Sequence, residues 1–297
     1  MESGNSIESD ECHPELPPEI WDLVRRRLPM GDLLSLSQVS HSLHDRTEVE
    51  VHTQDELTAV LAAPNLTLIV LADNGLTVTG PPVSGAWVVA VGAIQLHVSA
   101  GSVHVSDTVQ VTATDAAEVH AEGQAQVSAY GYARVYATDD AAVEAHNHAQ
   151  VYARRTARVL AVGSAEVFAR DDSAVTARGG VNVSAVDRAE VTAFDQAVVM
   201  AYGEGVTVSA GGAAHVYTHG SLVTASDRSR VVAEAGAMVS GRGRSVRIWF
   251  TRDVRVHAPL RTRIRLRQRH IAGLRIDQLD AWLGGGAELP DAACEVM

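Results

Sequence analysis

The chain predicts a mainly β fold: a parallel β-solenoid, right-handed and two-sided with a sixteen-residue coil, joined to a small N-terminal helical module. Three observations predict the solenoid. Valine recurs every eight residues at 103, 111, 119, 127, 135, 143, 151, 159, 167, 175, 183, 191 and 199, and the phase returns at Val223, Val231 and Val239. A spacing kept this long is the signature of a repeat architecture. Alanine usually stands two residues before and two after each valine, as in Ala133-Val135-Ala137 and Ala165-Val167-Ala169. Each octad therefore supplies one short strand with a small, large, small inner face. Four residues after each valine comes Asp115, Gly123, Gly131, Asp139, Asn147, Gly163 or Gly179, with Arg155 as an exception. Gly, Asn and Asp tolerate positive φ, so this position reads as the corner between strands.

One octad is too short to return the chain to its start, so a coil must hold two or three. Outer residues help choose, because neighbours in adjacent coils stack at about 4.8 Å. Two octads align Tyr136, Tyr152 and Phe168, with His120 below and Met200 beyond Ser184, whereas three octads mix the columns. Two octads also build a corner column of Asp139, Arg155, Asp171 and Asp187, in which Arg155 relieves like-charge repulsion. A three-sided prism stays as the alternative. The octads from Val103 to Val239 then stack as about eight or nine coils, roughly 40 Å long. Thr207 and His215 fall on expected valine positions beside Val206, Val208 and Val216. A one-residue slip would exchange inner and outer faces, so a pair of bulges is expected rather than a buried histidine.

Composition agrees. Of 297 residues, 46% are apolar but only 4% aromatic, so the core must be built from small and β-branched side chains. The net charge is -12, and every basic residue is arginine. Cys12 and Cys294 lie at opposite ends, which makes no disulfide framework and no ligand cluster. No apolar stretch approaches the roughly 18 residues of a spanning helix, so no membrane is expected. The expected setting is cytoplasmic, with delivery into a host cell left open.

Five segments follow. Residues 1–14 form an acidic tail expected to be disordered, 15–47 a helical module, and 48–102 a capping helix with the first irregular coils. The regular solenoid spans 103–241, and 242–297 hold Arg-rich strands and a terminal helix. In 48–102, Val49 and Val51 alternate, Asp55 is expected to cap a helix with Leu57, Val60 and Leu61, and LTLIVLA reads as a strand. This order resembles the opening of right-handed parallel β-helix proteins, where the helix covers the first coil. An uncovered end would invite polymerisation.

In 15–47, Leu16, Ile20, Leu23, Val24 and Leu28 recur at helical spacing, and Leu33, Leu34, Leu36 and Val39 follow Pro29 and Gly31. Pro17 and Pro18 suit the opening of the first helix, and Asp32 the N-cap of the second. The stretch LPPEIWDLVRRRLPMGDLLSLSQVSHSLHD resembles the F-box, the adaptor that docks on Skp1-type proteins in cullin-RING ubiquitin ligases. By that resemblance Leu16, Pro17, Ile20, Leu28 and Leu33 contribute to the adaptor-binding face. Ser40 stands where many members have Cys, and the usual late Trp is replaced near Leu43 or His44.

Toward the other end, eleven arginines and one acid lie between Arg242 and Arg275, giving +10 there and -22 elsewhere. Arg261, Arg263, Arg265 and Arg267 alternate with Thr262, Ile264 and Leu266, an arginine stripe on one strand face. It suits phosphate, an acidic peptide or the acidic body of another copy. Nucleic acid is disfavoured, because no recognition helix or RNA-binding motif accompanies it. Leu274, Ile276, Leu279, Trp282 and Leu283 read as the terminal helix.

No catalytic residues, cofactor or metal are expected. Asp139-Asp140 and Asp171-Asp172 offer acid-base chemistry but occupy corners rather than a cleft. His146 and His148 lack a third ligand. Outer-face Tyr136, Tyr152, Phe168 and Tyr202 are the better candidates, for binding a partner. The leading expectation is a protein-interaction adaptor: the F-box-like head engages a Skp1-like subunit and the solenoid an unidentified target. A self-assembling solenoid, as a homo-oligomer, is the alternative, and a carbohydrate-active enzyme the outsider.

Overall fold

A computed structural model describes residues 47–257 apart from Asn65, Arg244 and Arg252, together with the backbone of Arg263–Leu266. The F-box-like stretch and the proposed terminal helix lie outside the described residues. Those described form a parallel β-solenoid opened by β1 (Thr47–Val51), α1 (Gln54–Leu61), β2 (Leu66–Leu71), β3 (Leu76–Val78) and β4 (Trp87–Ala90). Next come β5 (Gln95–Val105) and β6 (Gln110–Ala121), each running unbroken through a corner, and then short strands from Gln126 onward.

Register settles the coil. Val135 pairs in parallel with Val119 on one side and Val151 on the other, while Val127 pairs with Val143. Strands therefore meet their second neighbours in sequence, two octads away, and the three-sided alternative is excluded. Val135, Val151 and Val167 are fully buried, as are Ala133, Ala137, Ala149 and Ala153. Alternation puts these side chains between the two sheets. Alanine lets the sheets approach while valine fills the middle, each buried valine contributing about 1.5 kcal/mol or more.

Corners behave as their residue types require. Asp115, Asp139, Asn147, Asp171 and Asp187 have φ between 52° and 62°, and Arg155 joins them at 53°. Aspartate brings more than tolerance of this geometry. The Asp227 carboxylate accepts from the Gly212 backbone N–H at 3.0 Å, Asp195 from Gly179 at 3.2 Å, and Asp171 from Arg155 at 3.1 Å. Each ties its own corner to that of the coil before.

The slip near His215 takes another form than the expected bulges. Val208 pairs with Val191, and Val216 with Val199, so both keep the inner position. Nine residues separate Val199 from Val208, and seven separate Val216 from Val223. The length change sits in two corners, where turns absorb it without breaking a ladder. A register shift within a strand pair does occur earlier, between Val98 and Ala100.

At the N-terminal end α1 starts at Thr53, not at Asp55 as expected. The Thr53 hydroxyl accepts from the Glu56 N–H at 3.2 Å, and a Glu56 carboxylate oxygen accepts from Thr53 N–H at 3.1 Å. This reciprocal box satisfies two orphan donors, which Asp55, already inside the first turn, is not placed to do. Backbone bonds to His52 and Thr53 hold the Glu56 carboxyl below its usual range.

Candidate interaction face

On one sheet the outer side chains that follow Val103, Val119, Val135, Val151 and Val167 build a ladder of rings. It starts at Trp87, whose ring centroid lies 4.3 Å from that of His104 at a 42° tilt. His104 stacks on His120 at 4.3 Å and 11°, and His120 on Tyr136 at 4.7 Å and 10°. Tyr136 to Tyr152 and Tyr152 to Phe168 each span 4.9 Å, at 10° and 9°. The strand register imposes this spacing, since Tyr136, Tyr152 and Phe168 are direct partners in the parallel ladder. Stacked pairs of this kind add about 0.5–1.5 kcal/mol beyond burial.

Sequence reasoning found the run from His120 to Phe168 and missed its base. His104 lies one two-octad step before His120 and was legible by the same rule. A further step of that length falls on Val88, so Trp87 is off the period. Tyr202 does not join the stack. It pairs with Val186 and His219 in the adjoining column and is half exposed. The ladder column itself continues from Phe168 through Ser184, Met200 and Tyr217.

Charge borders the rings. Arg154 and Arg170, two residues beyond Tyr152 and Phe168, are exposed, and neither has a carboxylate within salt-bridge distance among the described residues. On the other flank, Gln150 donates to Glu166 at 3.2 Å, and His120 Nε2 lies 3.0 Å from Glu118. Burial, then the charge of Glu118, raises the Tyr136 phenol, which stays a neutral hydroxyl.

His104 is the most perturbed ring. Burial first, and the adjacent His120 second, push it down from 6.5 to about 3. Trp87 covers one side, while His120 and its neighbour Glu118 are the titratable groups facing it from β6. In the unfolded chain this imidazole takes a proton below about pH 6.5, whereas in the fold it stays neutral until about pH 3. The unfolded state binds the extra proton, so stability falls as pH drops through that window. Moving from pH 7 to pH 5 should cost about 2 kcal/mol through this residue. Urea melts should show the His104→Phe protein, which keeps a ring in the stack, losing less over that interval; equal losses would reject the assignment.

The other candidates are dispersed. Arg155 Nη1 donates to Asp139 Oδ1 at 2.5 Å, the column relief expected from sequence. Arg188 grips Asp172 through Nε at 2.6 Å and Nη2 at 2.5 Å, which holds that carboxyl below its usual range. Asp139 and Asp172 are thus each held by an arginine. His146 stacks on Tyr130 at 4.7 Å and His148 on Tyr132 at 5.4 Å. Among the described residues no group of three His, Cys, Asp or Glu is placed to hold a metal, and no helix is long and apolar enough to cross a membrane. Of the arginine stripe, Arg261 and Arg267 lie outside the described residues. Register sets Arg263 opposite Arg247 and Arg265 opposite Trp249. Arg230 in turn pairs with Arg247, so Arg230, Arg247 and Arg263 form one column.

Compared with known proteins, the chain matches no family model, no curated protein and no solved structure.

Proposed function

We propose that this protein is a protein-interaction adaptor whose solenoid is a rigid platform for a target protein and whose F-box-like head engages a Skp1-like subunit. The observation that carries the platform is the ladder face. It aligns Tyr136, Tyr152 and Phe168 on a scaffold whose every strand is hydrogen-bonded to neighbours, and it sets Arg154 and Arg170 beside them with no carboxylate partner among the described residues. Rigid aromatic surface bordered by unpaired arginine suits a protein contact, since little side-chain freedom is lost on binding. The head rests on the sequence pattern alone, with Leu16, Pro17, Ile20, Leu28 and Leu33 as its binding residues.

A pull-down with purified Skp1 tests the head. Intact protein should bind, and a Leu28→Asp, Leu33→Asp double variant should not, while circular dichroism reports an unchanged solenoid. Failure of the intact protein to bind removes the ligase reading and leaves the platform.

The arginine column Arg230, Arg247 and Arg263 favours a second reading, in which copies associate through opposite charge. Sedimentation of the same preparation at rising concentration separates the two. A salt-sensitive oligomer belongs to self-assembly, and a monomer to the adaptor.

A further inference from the structure

The ring ladder has an empty rung. Ser184 pairs with Phe168 on one side and with Met200 on the other, so a serine stands where the column would carry its next ring. Tyr152 holds one face of Phe168 at 4.9 Å and 9°, and no ring covers the opposite face among the described residues. Two rungs separate Phe168 from Met200, about 9.6 Å at the spacing of adjacent strands. A planar group centred between them sits about 4.8 Å from each. That distance falls within the roughly 4.5–7 Å preferred by ring pairs and matches the roughly 5 Å of a thioether against a ring. The Ser184 hydroxyl forms the floor, where an indole N–H or a phenol would find a partner. Asn182 and Val186 flank it on the same rung.

We propose that the gap at Ser184 between Phe168 and Met200 is an insertion site for one aromatic side chain of a partner protein, with an acidic residue beside it that pairs with Arg170 and Arg154. The proposal rests on the platform reading and names what that platform recognises. Continuity of the ladder selects the ring, because the inserted group completes a stack that the fold already holds in register. Charge selects the neighbour. Arg154 and Arg170 stand on consecutive rungs, repel one another, and have no carboxylate in salt-bridge distance among the described residues, so an incoming acid meets both. A serine in place of a ring also explains why the neighbouring Met200 is 38% exposed.

The probe is the peptide acetyl-Glu-Trp-Glu-amide, titrated into the full chain carrying methyl-labelled methionine and followed by NMR. The Met200 methyl should move upfield by ring current while that of Met238, on the other sheet, stays in place. The charge-reversed acetyl-Lys-Trp-Lys-amide should bind at least about tenfold more weakly, and an Arg154→Glu, Arg170→Glu double variant should reverse that order. Ser184→Tyr fills the rung, so it should raise the melting temperature and weaken the acidic peptide at least about tenfold. Ser184→Met, which fills the gap with a flexible chain, serves if the tyrosine variant does not fold. An unmoved Met200 signal at about 10 mM peptide, or equal affinity in the filled variants, overturns the proposal. So does tighter binding of a hexaadenylate RNA at the same methyl, which would give the slot to nucleobases. None of these residues lies in the head, so a failed titration beside a positive Skp1 pull-down rejects the slot and spares the adaptor.

Discussion

Leu57→Asp should lower stability by about 4 kcal/mol and drive concentration-dependent polymers that the unmutated chain does not form under the same conditions. Leu57 is fully buried in α1, and Val60 and Leu61 pack partly against the same core. The helix is anchored as well as packed. The Gln54 side chain donates to the Thr77 carbonyl at 3.0 Å and accepts from the Thr77 N–H at 2.7 Å, taking both backbone groups of a β3 residue. An aspartate at 57 brings an uncompensated charge into contact with valine and leucine, so the helix must lift for the carboxylate to reach water.

Lifting α1 uncovers the end of the solenoid. The side chains it covered then face water, and the polar groups of β3 lose the Gln54 amide. An exposed strand end templates pairing with another chain, which is the reason solenoids carry caps. Thermal melts followed by circular dichroism should show the loss of stability, and sedimentation velocity the polymers. Ala59→Glu, on the exposed side of the same helix, should leave both unchanged. A monomeric Leu57→Asp protein with the native melting temperature would show that α1 is no cap.

The regular body was legible in the sequence because one coil equals two equal units. A constant valine spacing fixes the strands, the alanines set how closely the sheets approach, and the ring column from His120 to Phe168 follows from the two-octad step. Three features were not legible, each for a physical reason. The corner carboxylates of Asp171, Asp195 and Asp227 accept from N–H groups a full coil away in sequence, so residue type gave only their tolerance of positive φ. The nine-residue spacing before Val208 and the seven-residue spacing after Val216 disturb the period without disturbing the inner face, because alternation constrains strands and says nothing about turn length. The early coils depart from the two-octad length, as Gln95 pairing with Gln110 shows, which hides Trp87 from a periodic search. Of the candidate site, the column was visible in the sequence from His120 through Phe168 and Ser184 to Met200, and the strand register bears out Ser184 as the neighbour of both Phe168 and Met200.

Two glycines at similar backbone geometry should separate the effect of φ from the effect of space. Gly101 has φ +88°, and an added Cβ would meet the Gly80 carbonyl carbon and oxygen at 2.8 Å and the Pro81 nitrogen at 2.9 Å. Gly85 has φ +71° with nothing within 4 Å of the same position. Positive φ costs an alanine about 1 kcal/mol at either site. At Gly101 the contacts are backbone atoms of the preceding coil, which cannot swing aside as a side-chain tip would. Gly101 is itself held in register opposite Ala117 of β6, just beyond the shift between Val98 and Ala100, so it is not free to back away from Gly80. Gly101→Ala should therefore cost about 3 kcal/mol in urea denaturation, the strain of φ plus an overpacking penalty, against about 1 kcal/mol for Gly85→Ala. Equal losses would mean that the chain at Gly80 and Pro81 yields freely, and that the close approach of Gly101 does not fix the path of the first coils.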